Sequence, residues 1–428
     1  MNTAWKSVKL GDIATFSNGV NFGKDAYSSG VKLISVSDFG NRYYPNYSSL
    51  DEIDRNVLRE SDFLKDGDIV FVRSNGNKEL VGRCMLIQNP PCDVTYSGFC
   101  IRARLNDFKD HDPKFYAYYF KSDIFRKSMA NSASGANIQN LNQGLLFKHV
   151  ISLPPIGEQK QIASILSAYD NLIENNNKRI KILEQMAENL YKEWFVRFRF
   201  PGHETTRFVP SNMGKIPSTF TLAKMQDVFE YYIGGGWGED EYSSDFPVEA
   251  KVIRGADFPF VERGDLGTCP NRFHKESNYK ARKLEPGDII LEVSGGTAEQ
   301  PVGRTILVSQ QMLDRFNGQV ICASFCKLVR LKKEKISPVY FYYWMQFLYE
   351  TRIIDRFQLQ STGIINFKFE YFLKKGDVML PPSEIMKKFE DLVSPIHAQI
   401  EKLAMETENL IKQRDLLLPR LMSGKLAV

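Results

Sequence analysis

Asn89-Pro-Pro-Cys92 supplies the first three positions of the Asn-Pro-Pro-aromatic motif with which amino-group methyltransferases engage a flipped base. The aromatic that would stack on that base is missing, and no glycine-rich cofactor turn joins a strand to a helix upstream, so the segment reads as a plain turn. Gly234-Gly-Gly-Trp-Gly238 and Ser294-Gly-Gly-Thr297 could cradle phosphate, yet neither fits GxGxxG ahead of a helix, and no GxxxxGK[ST] occurs. The first runs into Glu239-Asp-Glu241, which would repel phosphate; both read as tight turns. Glu158-Gln-Lys160 and Glu249-Ala-Lys251 match the Glu-x-Lys fragment of a nuclease site without the paired acid that would complete it. The five histidines, His111, His149, His203, His274 and His397, have no spacing suited to a metal or a triad. No catalytic constellation, cofactor site or metal site emerges.

What remains is polar loop chemistry. Arg73-Ser-Asn-Gly-Asn77 ends one predicted strand, and Ser132-Ala-Ser-Gly-Ala-Asn-Ile-Gln-Asn140 precedes a Leu-Pro-Pro turn. Arg, Asn, Gln and Ser can read base edges or hold phosphates. The candidates for such contacts are Arg73, Ser74, Asn75, Asn77, Asn137, Gln139 and Asn140, and, further along, Arg254, Ser294, Thr297, Thr362 and Asn366. Arg73 and Arg254 stand first among them, for phosphate or guanine. The alternative for any one residue is a solvated loop that satisfies only its own turn.

These loops sit at matching places in a duplicated frame. Leu64-Lys-Asp-Gly-Asp-Ile-Val-Phe-Val72 returns 220 positions later as Leu284-Glu-Pro-Gly-Asp-Ile-Ile-Leu-Glu292. Leu33-Ile-Ser-Val-Ser-Asp-Phe39 is answered by Val252-Ile-Arg-Gly-Ala-Asp-Phe258, Val81-Gly-Arg83 by Val302-Gly-Arg304, and Leu153-Pro-Pro155 by Leu380-Pro-Pro382. A period this long means tandem domains, since solenoid repeats run at roughly 20 to 50 residues. Each copy opens with short β-type runs broken by Gly, Asn, Asp and Ser, and carries an aromatic-rich helical stretch late, Pro113 to Lys127 and Pro338 to Phe357. That predicts an α+β domain.

Each copy then ends in a helix. After Pro155 the seam runs Ile162, Ile165, Tyr169, Leu172, Asn176, Ile180, Leu183, Ala187, Leu190 and Trp194; after Pro382 it runs Phe389, Leu392, Ile396, Ile400, Leu403, Thr407, Leu410, Leu417 and Leu421. Spacings of three and four mark the a/d stripe of a coiled coil, with one polar seam residue in each and a kink or restart expected at Pro395. Either helix alone could pack on its own domain; two stripes at equivalent positions predict mutual, antiparallel pairing about an approximate two-fold axis. The expected organisation is two globular domains, 1–153 and 200–380, with helical spacers at 154–199 and 381–428.

Composition is ordinary for a globular chain: 428 residues, 43% hydrophobic, 25% charged, net charge +5. That charge permits a nucleic-acid partner without requiring one. Six cysteines are scattered without a CxxC pair and read as reduced thiols. No apolar run approaches the roughly 18 residues of a membrane span, and Met1-Asn-Thr-Ala-Trp5 lacks a signal peptide's apolar core, so a cytoplasmic location is expected.

Leu153-Pro-Pro155 followed by Gly157-Glu-Gln-Lys-Gln-Ile162, Leu190-Tyr-Lys-Glu-Trp-Phe-Val-Arg197 leading to Phe200-Pro-Gly-His-Glu204, Gly214-Lys-Ile-Pro217, and Leu416-Leu-Leu-Pro-Arg-Leu-Met-Ser-Gly424 form a specific conjunction. Together they resemble the specificity subunits of type I restriction-modification systems, and the likeness spans essentially the whole chain. The resemblance implies two target-recognition domains, each reading one half of a gapped bipartite sequence in double-stranded DNA. It implies docking of two modification subunits, which bring S-adenosylmethionine, and of motor-nuclease subunits, with no catalysis by this chain. The first copy begins at Trp5-Lys-Ser-Val-Lys-Leu10 without the Gly-x-Ile-Pro segment of the second, so an N-terminal contact made by other members is expected to be absent. The competing readings are a bifunctional methyltransferase or nuclease with an unrecognised catalytic domain, and a coiled-coil scaffold with two ligand-binding domains and no DNA.

Overall fold

The computed structural model describes residues 5–40, 43–74, 81–132, 141–263, 265, 267–297, 300–361 and 364–428. Contacts divide the chain into two units, one formed by 1–173 with 410–428 and the other by 174–409. Each of the two long helices contributes one part to each unit.

In the first unit the duplicated Leu-x-x-Gly-Asp-Ile motif opens the central strand. Gly67, at φ 85°, closes the turn ahead of Ile69–Val72, and Asp68 accepts the Lys65 N–H at 2.7 Å. The buried Asp68 carboxylate then takes both prongs of Arg104, at 2.7 and 2.6 Å. The second unit repeats this: Gly287 at φ 90°, Glu285 N–H to Asp288 at 2.7 Å, Arg330 on Asp288 at 2.8 and 2.9 Å. The recurring Gly-Asp is thus a left-handed turn followed by a buried anion that ties two neighbouring strands together.

Topology repeats as well. Ala14–Asn18, Cys100–Leu105, Ile69–Val72 and Cys84–Leu86 form an antiparallel sheet in that order, as do Phe229–Gly234, Cys326–Leu331, Ile289–Glu292 and Thr305–Leu307. A mixed three-stranded sheet accompanies each, centred on Tyr27–Ile34 and Val248–Ile253, with one antiparallel and one parallel neighbour. The central strands are buried on both faces: Ile69 and Phe71 enter one cluster and Val70 and Val72 another, just as Ile289 and Leu291 part from Ile290. One of these cores holds the aromatic helix, the other the mixed sheet.

The aromatic helices begin where Pro stands at the first position behind a cap, Asp112 for Pro113–Lys121 and Ser337 for Pro338–Glu350. The first stretch is two helices rather than one, the second being Asp123–Ser132, because Ser122 turns its hydroxyl onto the Tyr119 carbonyl at 2.6 Å. The second stretch ends in a 3₁₀ turn, Ile353–Phe357.

The long helices are Ile156–Tyr191, continued by a π turn at Lys192–Val196, and Ser383–Met422. Within the first unit Ile162, Ala163 and Leu166 share a core with Leu421 and Met422, and Asp170 pairs with Arg414 at 2.7 Å. Within the second, Ile180 packs with Ile400 and Leu403, while Ala187, Tyr191 and Trp194 share a core with Phe389 and Val393. Rising numbers on one helix meet falling numbers on the other, so the pairing in each unit is antiparallel.

The seam differs from a strict a/d reading. Ile165, Leu172 and Leu392 are exposed, whereas Leu166, Tyr191 and Val393 are buried. A helix of 3.6 residues per turn drifts against a 3.5 repeat, and each helix also packs on its globular domain, which broadens and rotates the buried face. Pro395 does not break Ser383–Met422; it lies on the exposed side. Gly214–Pro217 forms a hairpin with Phe208–Ser211, burying Ile216. No helix among the described residues is long and apolar enough to cross a membrane.

Candidate nucleic-acid interface

At the end of each central strand the chain leaves the sheet and returns through the Val-Gly-Arg motif. Gly82 N–H donates to the Val72 carbonyl at 2.9 Å and Val72 N–H to that of Arg83 at 2.8 Å; in the second unit Gly303 bonds Glu292 at 3.0 Å and Glu292 bonds Arg304 at 2.9 Å. Both glycines have positive φ, 80° and 107°. A loop of variable content is held by the same two ends in both copies.

Arg73 heads that loop in the first unit. Its N–H donates to the Phe99 carbonyl at 2.8 Å, its Nη1 to the Gly98 carbonyl at 3.4 Å, and its own carbonyl accepts from Leu141 N–H at 2.9 Å. In the second unit Val293 makes the same backbone bonds, to Phe325 at 2.9 Å and from Phe367 at 2.8 Å. The two polar loops singled out in the sequence are therefore brought together at their anchors. Arg73 and Ser74 are half-buried there. Asn75, Asn77, Asn137, Gln139, Asn140 and Thr362 lie outside the described residues.

The second unit's candidates converge more visibly. Arg254 and Ser294 line one cavity of about 720 Å³ with Trp237, Glu292, Gln300, Arg304 and Phe325. Ser294 Oγ donates to Asn366 Oδ1 at 2.7 Å across the pair Ser294–Gly296 and Ile364–Phe367. Thr297 closes a turn, its N–H donating to the Gln300 carbonyl at 2.8 Å and its hydroxyl accepting the Gln300 N–H at 3.1 Å. Arg304 grips Glu292 with two bonds, at 2.8 and 2.6 Å, and reaches the Gly255 carbonyl at 2.9 Å.

Arg254 is placed differently from a free cation awaiting a phosphate. Its Nε and Nη2 donate to Asp257 at 2.9 Å each, and Nη2 also reaches the Thr268 carbonyl at 2.9 Å. Burial pushes the Asp257 carboxyl up, but the hydrogen bonds from Arg254 and Thr268 outweigh this and hold it below the usual carboxylate range. The guanidinium braces the loop after Val248–Ile253 while lying at the cavity rim. Trp237, Phe325, and the Glu292–Arg304 pair were not among the sequence candidates. Phe325 and Phe99 stand at matched positions of the repeat, a signal that extending the alignment past Val-Gly-Arg would have exposed.

Residues 2–185 match the family model described as the type I restriction modification DNA specificity domain. Among characterised proteins, the MjaIX specificity subunit of Methanocaldococcus jannaschii is 27% identical over 75% of this chain and 71% of its own length. The StySPI specificity subunit of Salmonella potsdam is 23% identical over 91% and 82%. Among solved structures, the type I restriction-modification S subunit from M. genitalium superposes with a TM-score of 0.58 at 15% identity, covering 98% of this chain and 97% of that one, and so shares its fold. Repeated α+β units, helices paired antiparallel within each, and these likenesses converge: residues 2–185 match the type I DNA specificity domain, and along most of its length the chain is similar to type I restriction-modification specificity subunits.

Proposed function

We propose that this chain reads a gapped bipartite sequence in double-stranded DNA, one half through each globular domain, for a type I restriction-modification complex. The domains are 1–153 and 200–380, and the helical segments 154–199 and 381–428 set the spacing between half-sites and dock two modification subunits; motor-nuclease subunits join them. Methyl transfer and cleavage belong to those partners, and this chain contributes recognition alone. One observation carries the reading: in both units an identical frame of buried Asp–Arg pairs and Val-Gly-Arg returns presents loops whose side chains differ. Two readers built on one scaffold and given different contents are suited to two different half-sites.

Mapping methylated adenines in host DNA with and without the gene tests this. A two-part motif that disappears on deletion is expected; an unchanged methylation pattern would refute it. Adding four residues, about one helical turn, at equivalent points of both long helices should change the gap length and leave the half-sites as they were. An unaltered gap would remove the helices from that role.

A further inference from the structure

Each unit holds one phenyl ring out into solvent at the same turn. Ser97-Gly-Phe-Cys100 and Ala323-Ser-Phe-Cys326 are both β-turns, closed by the Cys100 N–H to Ser97 carbonyl and Cys326 N–H to Ala323 carbonyl bonds at 2.8 Å each. Phe99 is 62% exposed and Phe325 66%. Turn positions ordinarily go to Gly, Asn, Asp or Ser, and a phenyl ring gains nothing from water there. Among the described residues neither ring is covered, yet a phenylalanine stands here in both copies, while Arg73 beside one has become Val293 beside the other.

The turns are closely packed from beneath. Gly19 and Gly235 pass beneath them so closely that a Cβ would lie 2.3 Å from the Ser97 carbonyl oxygen and 2.1 Å from that of Ala323. Gly19 N–H donates to Cys100 at 3.1 Å and Gly235 N–H to Cys326 at 2.9 Å. Each Phe carbonyl, in turn, takes the N–H that heads the variable loop, so the position of the ring is coupled to the candidate contacts. In the second unit Phe325 also forms part of the wall of the cavity that Ser294, Gln300 and Trp237 line.

We infer that Phe99 and Phe325 are the paired apolar base contacts of the two recognition domains, each meeting the hydrophobic surface of one base in its own half-site. This rests on the DNA-reading function proposed above. A ring pre-positioned on a closely packed turn loses little freedom on binding, and the apolar surface it can cover is a thymine C5-methyl or the face of an unstacked base.

The test uses the chain assembled with its modification subunits and duplexes carrying single changes in either half-site. Phe99→Ala should weaken cognate binding about tenfold and relax discrimination in one half-site only, and Phe325→Ala in the other. Deoxyuridine in place of thymine separates the two sources: a ring on the methyl makes wild type sensitive and the variant indifferent, whereas a stacked ring gives a 2-aminopurine signal that the variant lacks. Unchanged affinity and discrimination in both variants would overturn the inference, as would an equal loss in subunit assembly, which would assign the rings to a protein partner. A wild-type complex indifferent to sequence would overturn the underlying function as well.

Discussion

The two units differ least at the turns and charge pairs that hold the central strands and most where those strands end. Asp68–Arg104 and Asp288–Arg330 are near copies, as are the returns at Gly82 and Gly303. At the last residue of the shared strand the copies part: Val72 gives way to Glu292, whose carboxylate binds Arg304, and Ser35, capped by Asp38 at 2.7 Å, gives way to Arg254. Toward the helices they part again. Tyr118 donates to Asp170, which Arg414 neutralises, while at the matching place Tyr343 is hydrogen-bonded to His397 at 2.7 Å. A duplicated fold keeps the charge pairs that hold its central strands, since a buried pair broken on one side is costly, and exchanges a buried residue where its partner changes with it, as Glu292 meets Arg304.

The largest test of that division is removal of the shared anion. Asp68→Ala should destabilise by about 3 to 5 kcal/mol by leaving the partly buried Arg104 guanidinium without a carboxylate, and Asp288→Ala somewhat less because Arg330 keeps Glu285 at 3.1 Å, both read as a drop in the urea midpoint. Costs that differ by more than about 2 kcal/mol would mean the two frames are not equivalent in energy. Next comes acid. Burial pushes His149 and His397 down to about 4, and each is hydrogen-bonded to a tyrosine hydroxyl, His149 to Tyr119 at 2.8 Å. The unfolded chain takes a proton near pH 6.5 while the folded chain resists it to about 4, so stability is full above about 6.5 and declines as pH falls toward 4, by roughly 2 to 3 kcal/mol per histidine. His149→Gln and His397→Gln should each flatten the slope of stability between pH 7 and 4.5; a double variant with the wild-type slope would refute the assignment. The smallest effect belongs to the rim: Ser294→Ala, which removes the bond to Asn366, should cost about 1 kcal/mol. A loss as large as that of Asp288→Ala would place Ser294 in the frame and dissolve the distinction.

The repeat made the frame legible. Gly-Asp before a β-branched run and Val-Gly-Arg after it recur because a left-handed turn, a buried carboxylate and a second left-handed glycine each tolerate few residue types. The helical stripes were readable for the same reason, as periodicity survives divergence. Their faces were harder: Leu166, Tyr191 and Val393 are buried against a globular domain as well as a helix, and a one-dimensional stripe does not contain that second neighbour. Arg254 shows the limit for site residues. Its type suggested a reader of phosphate or guanine, but Asp257 and Thr268, three and fourteen positions away, reach it only because the chain folds back around the turn.

Duplication, α+β character, the two amphipathic helices and the polar character of the strand-end loops follow from residue order, because each is a local pattern of size, polarity and backbone freedom. The convergence of two sequence-distant loops on Arg73 and Leu141, the pairing of Arg304 with Glu292, and the exposure of Phe99 and Phe325 were decided only by tertiary structure. Each depends on which strands become neighbours, and strand pairing is settled by the burial of whole faces rather than by any single segment.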